Sequence, residues 1–353
     1  MPVSKLLSIT ATALKSNMMP LERPYKLNFS ISYWCQSRCL TCDIWRIKPS
    51  NELKLDEIQE FAAKNNYFKW IEITGGEPFM RSDMVEVVRA FADNSSSLYL
   101  LTIPTNSLCN HEMVQSKLVE ILKMRIPKVV LTLSLDGYKE LHDRIRGVPG
   151  NYDRVMDMAR RLAELKKRYR SLDFVFGYTM SRFNQGQLEA TIRQVAMELP
   201  WVTHEDFHIN VAQISDVYYA NGGLEIGADR ETMHSEIVRF IRMRKRRLDA
   251  MHLIEMAFLK KLAEYVKAGK QPLRSRSLDA SLFLDSYGNV YPSIMWNKRI
   301  GNIKDVHYDL MGLWHTDEAD EVRRIIREGK EPNAWTSCEA YQTLTGRITS
   351  MLL

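Results

Sequence analysis

The sequence predicts an α/β protein: a partial (βα)6 barrel of the TIM type, followed by a smaller α+β C-terminal domain that contains a β-hairpin. Three observations predict it. Six short β-rich stretches alternate with segments of helical periodicity through the first part of the chain. After Asn221-Gly222-Gly223 this rhythm gives way to long helical patterns and then a hairpin pattern. The 353 residues, 45% of them hydrophobic, suffice for one large domain and a smaller one.

The six predicted strands define the barrel. They cover residues 27–32, 70–74, 98–103, 129–135, 173–180 and 207–213. The helices between them are clearest at 111–124 and 152–169, where apolar residues recur along one face. Alternation of this kind implies a parallel sheet with right-handed crossovers. In such barrels ligands bind at the C-terminal ends of the strands.

The C-terminal part has a different pattern. Residues 230–268 predict one or two long helices, which include the basic run 242–247. Such a run is usually a solvated face, with contact to nucleic acid or anionic lipid as the alternative. Residues 281–291 predict the hairpin, around a Tyr-Gly-Asn turn. We therefore expect an N-terminal segment (1–25), the barrel (26–220) and a C-terminal domain (221–353).

Three of the five cysteines lie together directly after the first predicted strand. Cys35, Cys39 and Cys42 follow the spacing C-x3-C-x2-C. Three such thiolates can hold one metal centre but leave a four-coordinate centre one ligand short. A [4Fe–4S] cluster with three cysteine ligands would keep one iron open to a small molecule. Structural zinc is the alternative that the residues alone leave open.

Glycine, proline and polar residues lie at the ends of the second, third and fourth predicted strands or just after them. They are Gly75, Gly76, Glu77, Pro78, Asn106, Ser134 and Asp136. Two successive glycines let a ligand approach the backbone closely, and a carboxylate follows them. Helix capping by the Ser/Asp pair and turn formation by the asparagine are the structural alternatives. Because all these strand ends meet at one rim with the cysteines, the sequence predicts a single composite site there.

Together these motifs resemble those of the radical S-adenosylmethionine (SAM) enzymes, in the same order over about residues 26–215. The resemblance implies a [4Fe–4S] cluster on the three cysteines and SAM on its open iron. It implies that the Gly75–Pro78 segment binds the SAM amino group, that Ser134 and Asp136 reach the ribose, and that Asn106 contacts SAM. Arg146 stands where relatives place an arginine for the SAM carboxylate; a surface salt bridge is its alternative.

The resemblance also implies the reaction. One electron from the cluster would cleave SAM to a 5′-deoxyadenosyl radical, which takes a hydrogen atom from the substrate. Cys109 lies near the rim and could donate a hydrogen atom to a substrate radical, with a buried free thiol as its alternative. We expect a small-molecule or lipid substrate and an electron donor such as flavodoxin or ferredoxin. A peptide-modifying enzyme and a non-catalytic iron–sulfur sensor are the alternatives.

The C-terminal domain resembles the SPASM or twitch extension of such enzymes, in which further cysteines hold an auxiliary cluster. Here Ser293 and Ala334 stand at two such positions and only Cys338 remains. One thiolate cannot hold a [4Fe–4S] cluster. We therefore expect the auxiliary cluster to be lost and a redox-neutral outcome: coupling, rearrangement, elimination or epimerisation.

The remaining features set expectations for location. An oxygen-sensitive cluster predicts a reducing cytoplasm. The sequence has no run of 18 apolar residues, so we expect no membrane-spanning helix. Residues 1–19 predict a helix packed on the protein's own surface, with peripheral membrane contact as the alternative. The net charge of +6 gives no strong indication of nucleic-acid binding.

Overall fold

The computed structural model of the chain describes residues 2–245 and 247–347. Within them, nine strands form one sheet in the order β6-β5-β4-β3-β2-β1-β7-β8-β9. The strands are β1 (Lys26–Ser32), β2 (Trp70–Gly75), β3 (Leu100–Thr105), β4 (Lys128–Ser134), β5 (Leu172–Met180), β6 (Phe207–Val211), β7 (Ser281–Leu284), β8 (Asn289–Tyr291) and β9 (Gly301–Asn302). The helices are α1 (Pro2–Met18), α2 (Leu55–Lys64), α3 (Met84–Asn94), α4 (His111–Lys123), α5 (Lys139–Arg146), α6 (Asn151–Arg168), α7 (Leu188–Glu198), α8 (Arg230–Met243), α9 (Ala250–Ala268), α10 (Met311–Trp314), α11 (Asp317–Arg327) and α12 (Ser337–Thr345).

Strands β1 to β6 are parallel and neighbour one another in chain order. One or two helices connect each strand to the next, so that every crossover returns to the same end of the sheet. The sheet stays open, because β6 and β9 are its edges. The predicted partial barrel is confirmed, and all six predicted strands coincide with observed ones to within two residues at each end.

Burial alternates along β2 to β6 in a way that separates the two faces of the sheet. Apolar residues such as Ile73, Ile103 and Leu131 are fully buried in the core shared with the helices. Each fully buried side chain of this kind stabilises the fold by about 1.5–3 kcal/mol. The residues between them are only half-buried, and most are polar. We call these the inner face of the sheet; its members include Glu72, Thr102, Thr132, Gly177, Thr179, His208 and Asn210.

The C-terminal hairpin belongs to the same sheet. Strand β7 pairs in parallel with β1, and β8 and β9 follow in antiparallel order. The predicted hairpin is therefore confirmed, and it extends the barrel sheet rather than forming a sheet of its own. The division into domains stays a prediction.

The basic run 242–247 is a solvated helical face only in part: Arg242 is exposed on the last turn of α8, and Lys245 and Arg247 are exposed beyond the helix. Helix α8 ends at Met243, and the Arg244 side chain turns inward. Its Nη2 lies 3.1 Å from Glu205 Oε2, and its Nη1 donates to the carbonyls of His204 and Phe207. A half-buried carboxylate and two carbonyls satisfy the guanidinium at the end of the helix. Arg246 lies outside the described residues.

Helix α12 packs against the inner face of the sheet, between β1 and β6. On one side, the Lys26 Nζ of β1 donates to the Cys338 carbonyl at 2.6 Å. On the other, Asn210 of β6 and Ser337 exchange two hydrogen bonds of 3.2 and 3.3 Å. The helix thereby bridges β1 and β6, which do not pair with each other.

Helix α1 packs on the protein's own surface, as predicted. Ile9 contacts the small apolar cluster of Leu21, Tyr25 and Ala280, and Lys69 Nζ donates to Ser8 Oγ at 2.9 Å. The opposite face exposes apolar residues, Leu7 among them. Among the described helices, none is long and apolar enough to cross a bilayer. Peripheral membrane contact stays a prediction.

Candidate active site

The cysteine loop follows β1 and is anchored by the end of α5. The backbone N–H groups of Arg38 and Leu40 donate to the carbonyls of Arg146 and Ile145, at 2.9 and 2.8 Å. Gly147 ends α5 in the left-handed region, with φ of 66°, and a Cβ there would lie 2.4 Å from the Arg38 carbonyl oxygen. Only glycine permits both the conformation and this close approach. Helix α5 therefore fixes the middle of the cysteine loop.

The three thiols of the loop are half-buried and each has a polar neighbour. Arg146 Nη1 lies 3.7 Å from the sulfur of Cys39, and Asn106 Nδ2 lies 3.8 Å from that of Cys35. Cys42 donates to the Tyr219 carbonyl at 3.5 Å. Burial raises the pKa of Cys35 to about 12 and also raises the pKa of Cys42. Binding of iron must therefore displace the thiol protons.

The donor set of the loop, three thiolates, suits a [4Fe–4S] cluster that keeps one iron open. Across residues 2–245 and 247–347, no three His, Cys, Asp or Glu side chains are arranged to hold a metal ion. A [4Fe–4S] cluster does not require the sulfurs to converge on one point, because each thiolate binds a different iron. Beside the loop, Gln36 Oε1 and Arg146 Nε are buried without a partner. Such unpaired groups indicate a polar ligand at this place.

The two glycines at the end of β2 allow close contact with the backbone of residues 32–34, which leads into the cysteine loop. Gly75 has φ of 130°, and a Cβ on Gly76 would lie 2.3 Å from the Trp34 carbonyl oxygen. The N–H of Gly76 donates to Ser32 O at 2.9 Å, and that of Glu77 to Trp34 O at 2.8 Å. The glycines thus place the Gly75–Pro78 segment directly beside the residues that precede Cys35.

The Glu77 carboxylate is fully buried and already accepts three hydrogen bonds. Its Oε2 accepts from the N–H of Asn106 at 2.7 Å, and its Oε1 accepts from Thr105 Oγ1 at 3.0 Å and from Phe79 N at 3.2 Å. Burial raises its pKa to about 7, against the opposing effect of these hydrogen bonds. The side chain joins the ends of β2 and β3; its contact with the SAM amino group stays a prediction.

Asp136 and Arg146 form an ion pair at the end of β4. Arg146 Nη2 lies 2.8 Å from Asp136 Oδ2, and Asp136 Oδ1 accepts from the N–H of Thr179 at 2.9 Å. Although burial lowers the pKa of Arg146, the Asp136 carboxylate raises it overall. The partner of Arg146 is therefore a buried carboxylate rather than a surface residue, as the alternative of a surface salt bridge required. Because Arg146 also contacts Cys39, the pair links β4 to the cysteine loop.

The other predicted site residues lie at or near the same rim. Ser134 ends β4 on the half-buried inner face, and Pro78 opens the turn after β2. Cys109 is 9% exposed, receives a hydrogen bond from Gln36 Nε2 at 3.4 Å, and lines a pocket between that turn and α4. It does not lie on the inner face of the sheet. Its role as a hydrogen donor stays a prediction.

Part of the chain matches a known protein family. Residues 29–195 match the Radical SAM superfamily. These residues form a radical SAM domain. Members of the superfamily are enzymes that use a [4Fe–4S] cluster and SAM, and this chain contains their domain. The match covers the cysteine loop, the Gly75–Pro78 segment and the Asp136–Arg146 pair.

Solved radical SAM structures share the fold over nearly the whole chain. The anSMEcpe structure with bound AdoMet (SAM) is 15% identical, covers 93% of this chain and 98% of its own, and superposes with a TM-score of 0.61. SuiB of Streptococcus suis, bound to its precursor peptide SuiA, is 16% identical, covers 95% of this chain and 74% of its own, and has a TM-score of 0.60. No curated protein matches the chain. At these identities the likeness shows the fold alone.

Sequence reasoning missed the inner face of the sheet as part of the site. A signal was present: β1 reads Lys-Leu-Asn-Phe-Ser-Ile-Ser, with a polar residue at every second position. In a strand this period places all the polar side chains on one face. Glu72 and Cys338 also meet there, at 3.0 Å, although 266 residues separate them in sequence. No local pattern could predict that contact.

Proposed function

We propose that this radical SAM enzyme cleaves SAM reductively at a [4Fe–4S] cluster held by Cys35, Cys39 and Cys42, and abstracts a hydrogen atom from a polar small molecule bound against the inner face of the sheet. The observation that supports it is the convergence at one rim of the three thiols, the Gly75–Pro78 segment and the Asp136–Arg146 pair. A sensor that only held a cluster would need neither the glycine segment nor the ion pair. The arrangement therefore favours an enzyme.

Each element of the rim has a distinct task in this proposal. The three thiolates hold the cluster, and the backbone of Gly75 and Gly76, with Asn106 and Ser134, orients SAM beside it. Arg146 offers its buried, unpaired Nε for the SAM carboxylate while Asp136 fixes the guanidinium. When bound, the cluster and SAM supply the 5′-deoxyadenosyl radical. The surrounding barrel excludes water from it.

The chemistry of the inner face supports a polar substrate rather than a lipid. Polar side chains such as Thr132, Thr179 and His208 stand on it beside apolar ones such as Val130 and Val175. His208 Nδ1 lies 3.0 Å from Glu255 Oε1, and the same histidine contacts Asn210 through Nε2 at 2.9 Å. On the same face, Asn28 Oδ1 and Ser30 Oγ of β1 are buried without a partner, and an acyl chain would leave them so, at about 1–3 kcal/mol for each. Polar functional groups on the substrate would satisfy them.

The C-terminal region supports a redox-neutral outcome. Ser293 and Ala334, at the positions where cysteines were expected, line one and the same cavity. Cys338 points instead to Glu72 on the inner face. Among the residues that the structure describes, no second set of thiols stands near that cavity to receive an electron from the substrate. The electron for SAM cleavage would come from a one-electron donor such as flavodoxin or ferredoxin.

Substrate class is tested by fractionating a cell extract. Unstimulated 5′-deoxyadenosine formation is measured first, then repeated with a water-soluble fraction below about 1 kDa, with a peptide fraction and with lipid vesicles. We expect the small polar fraction to raise the rate by about tenfold or more, because a bound substrate fills the inner face and captures the radical. Stimulation by the lipid or the peptide fraction alone would contradict the proposed substrate class.

A further inference from the structure

A second reactive group lies deep on the inner face, apart from the rim. Cys338 opens helix α12, and its thiol donates to Glu72 Oε1 at 3.0 Å. The other carboxylate oxygen of Glu72 lies 3.2 Å from Lys26 Nζ, which is fully buried. Lys26 also donates to the Cys338 carbonyl at 2.6 Å. Lys26 therefore binds both the Glu72 carboxylate and the Cys338 backbone. These two contacts fix the direction of the thiol.

Cys338 retains accessible surface although its neighbour Lys26 is fully buried. Cys338 and Ser337 are half-buried, and Glu72 is 14% exposed, whereas Lys26 is 0% exposed. Alternate residues of β2 to β6 on the inner face are half-buried as well. A thiol so placed can meet a molecule bound on the inner face.

Two polar side chains of β1, in the neighbourhood of Cys338, lack hydrogen-bond partners. Asn28 Oδ1 and Ser30 Oγ of β1 are buried, 0% exposed, and unpaired. In the β1–β2 register they stand opposite Glu72 and Thr74 respectively, and period-two alternation puts them on the same face as Lys26. Unpaired buried groups are rare and usually mark a missing polar partner. They indicate that a polar ligand reaches this depth.

A tyrosine pair lies between this thiol and the cysteine loop. The Tyr219 carbonyl accepts from Cys42, and the Tyr218 and Tyr219 rings pack edge to face with centroids 4.7 Å apart. Cys338 packs against the apolar cluster that contains Tyr218. The tyrosine pair therefore connects the surroundings of the two sulfur sites. A radical formed beside the cysteine loop could take a hydrogen atom from Cys338.

We infer that Cys338 is a catalytic hydrogen-atom donor that quenches the substrate radical, so that the reaction ends in a net exchange or inversion at one carbon. This deepens the proposed function and rests on it. The S–H bond of Cys338 breaks and a C–H bond forms on the substrate, which leaves a thiyl radical. The one-electron donor that serves SAM cleavage supplies one electron, and solvent supplies one proton, to restore the thiol. Glu72 and Lys26 are positioning residues, since they act through the thiol.

The first test measures the thiol without turnover. In the cluster-loaded protein, the cluster protects Cys35, Cys39 and Cys42, so iodoacetamide can reach only Cys109 and Cys338. Peptide mapping by mass spectrometry should show alkylation of Cys338, and Glu72→Gln should accelerate it several-fold because a neutral amide does not disfavour the thiolate. Cys338 that stays unmodified until the protein is denatured would overturn the inference, since the thiol would not face open space.

The second test follows the hydrogen atom, with SAM alone as the probe. The reconstituted enzyme is reduced with dithionite in D2O without added thiols, and deuterium in 5′-deoxyadenosine is measured in the first turnover. We expect about one deuterium per molecule for the wild type, because the S–D bond of Cys338 exchanges with solvent and is weak enough for the 5′-deoxyadenosyl radical to abstract its deuterium. Cys338→Ser keeps the hydrogen bond to Glu72 but should lose the label.

The outcomes separate the inference from the proposed function. Label that persists in Cys338→Ser but disappears in Cys109→Ser would assign the donor to Cys109 and overturn the inference. Unlabelled 5′-deoxyadenosine from the wild type would also overturn it, while it would leave the proposed function standing. If no 5′-deoxyadenosine forms in any variant, the proposed function fails and the inference fails with it.

Discussion

Replacing Cys35, Cys39 and Cys42 together by alanine is expected to remove the iron and the brown colour of the reconstituted protein. The wild type should hold about four irons per chain and the triple variant close to none, because no other described residues form a set of thiolates that could replace them. The fold should survive, since the loop is anchored through backbone hydrogen bonds to α5 rather than through the thiols. Iron and sulfide analysis with a circular dichroism spectrum checks both expectations.

The matched control for the triple variant is Cys109→Ser, which removes a thiol outside the loop. We expect it to retain the full iron content. If the triple variant instead kept stoichiometric iron, the cluster would have to lie elsewhere and the assignment of the three-cysteine site would be wrong. Loss of iron from both variants would indicate a general folding defect rather than the loss of ligands.

Replacing Gly76 by alanine should destabilise the protein and loosen the cluster together. The added Cβ would lie 2.3 Å from the Trp34 carbonyl oxygen, and a backbone group cannot turn away as a side chain can. Forcing a methyl group into such a contact costs typically about 1–3 kcal/mol. Because Trp34 directly precedes Cys35, the backbone must shift where the cysteine loop begins. Denaturant midpoints and iron content after reconstitution measure the two effects.

Gly227→Ala is the control for this variant. Nothing lies within 4 Å of a Cβ at Gly227, and this glycine does not adopt a left-handed conformation. Its stability should stay within about 0.5 kcal/mol of the wild type, as for most surface substitutions. Equal stabilities for Gly76→Ala and the wild type would mean that the close approach of the two backbone segments is not maintained in solution.

The barrel and the rim could be predicted from sequence because their signals are local. Each strand is a short apolar or alternating run, and the order of strands follows from the right-handed crossover. The spacing of Cys35, Cys39 and Cys42 and the Gly75–Pro78 segment lie within a few residues of strand ends, so the fold itself brings them together.

What the sequence could not predict depends on long-range contacts. Arg146 pairs with Asp136, just after β4, rather than with its helical neighbours, and Glu77 binds the end of β3. Helix α12 meets β1 and β2 across more than half of the chain. The basic run was assigned to a helix because its composition suits one, but Glu205 draws Arg244 inward where α8 ends. In each case a tertiary partner decides the outcome.

The most direct measurement of the central claim is SAM cleavage by the reconstituted protein. The wild type, loaded with iron and sulfide without oxygen and reduced with dithionite, is incubated with SAM, and 5′-deoxyadenosine and methionine are quantified. We expect both products in equal amounts from the wild type and neither from the triple cysteine variant. A cluster-loaded wild type that binds SAM and forms no 5′-deoxyadenosine, even with the small polar fraction of the extract, would contradict the account.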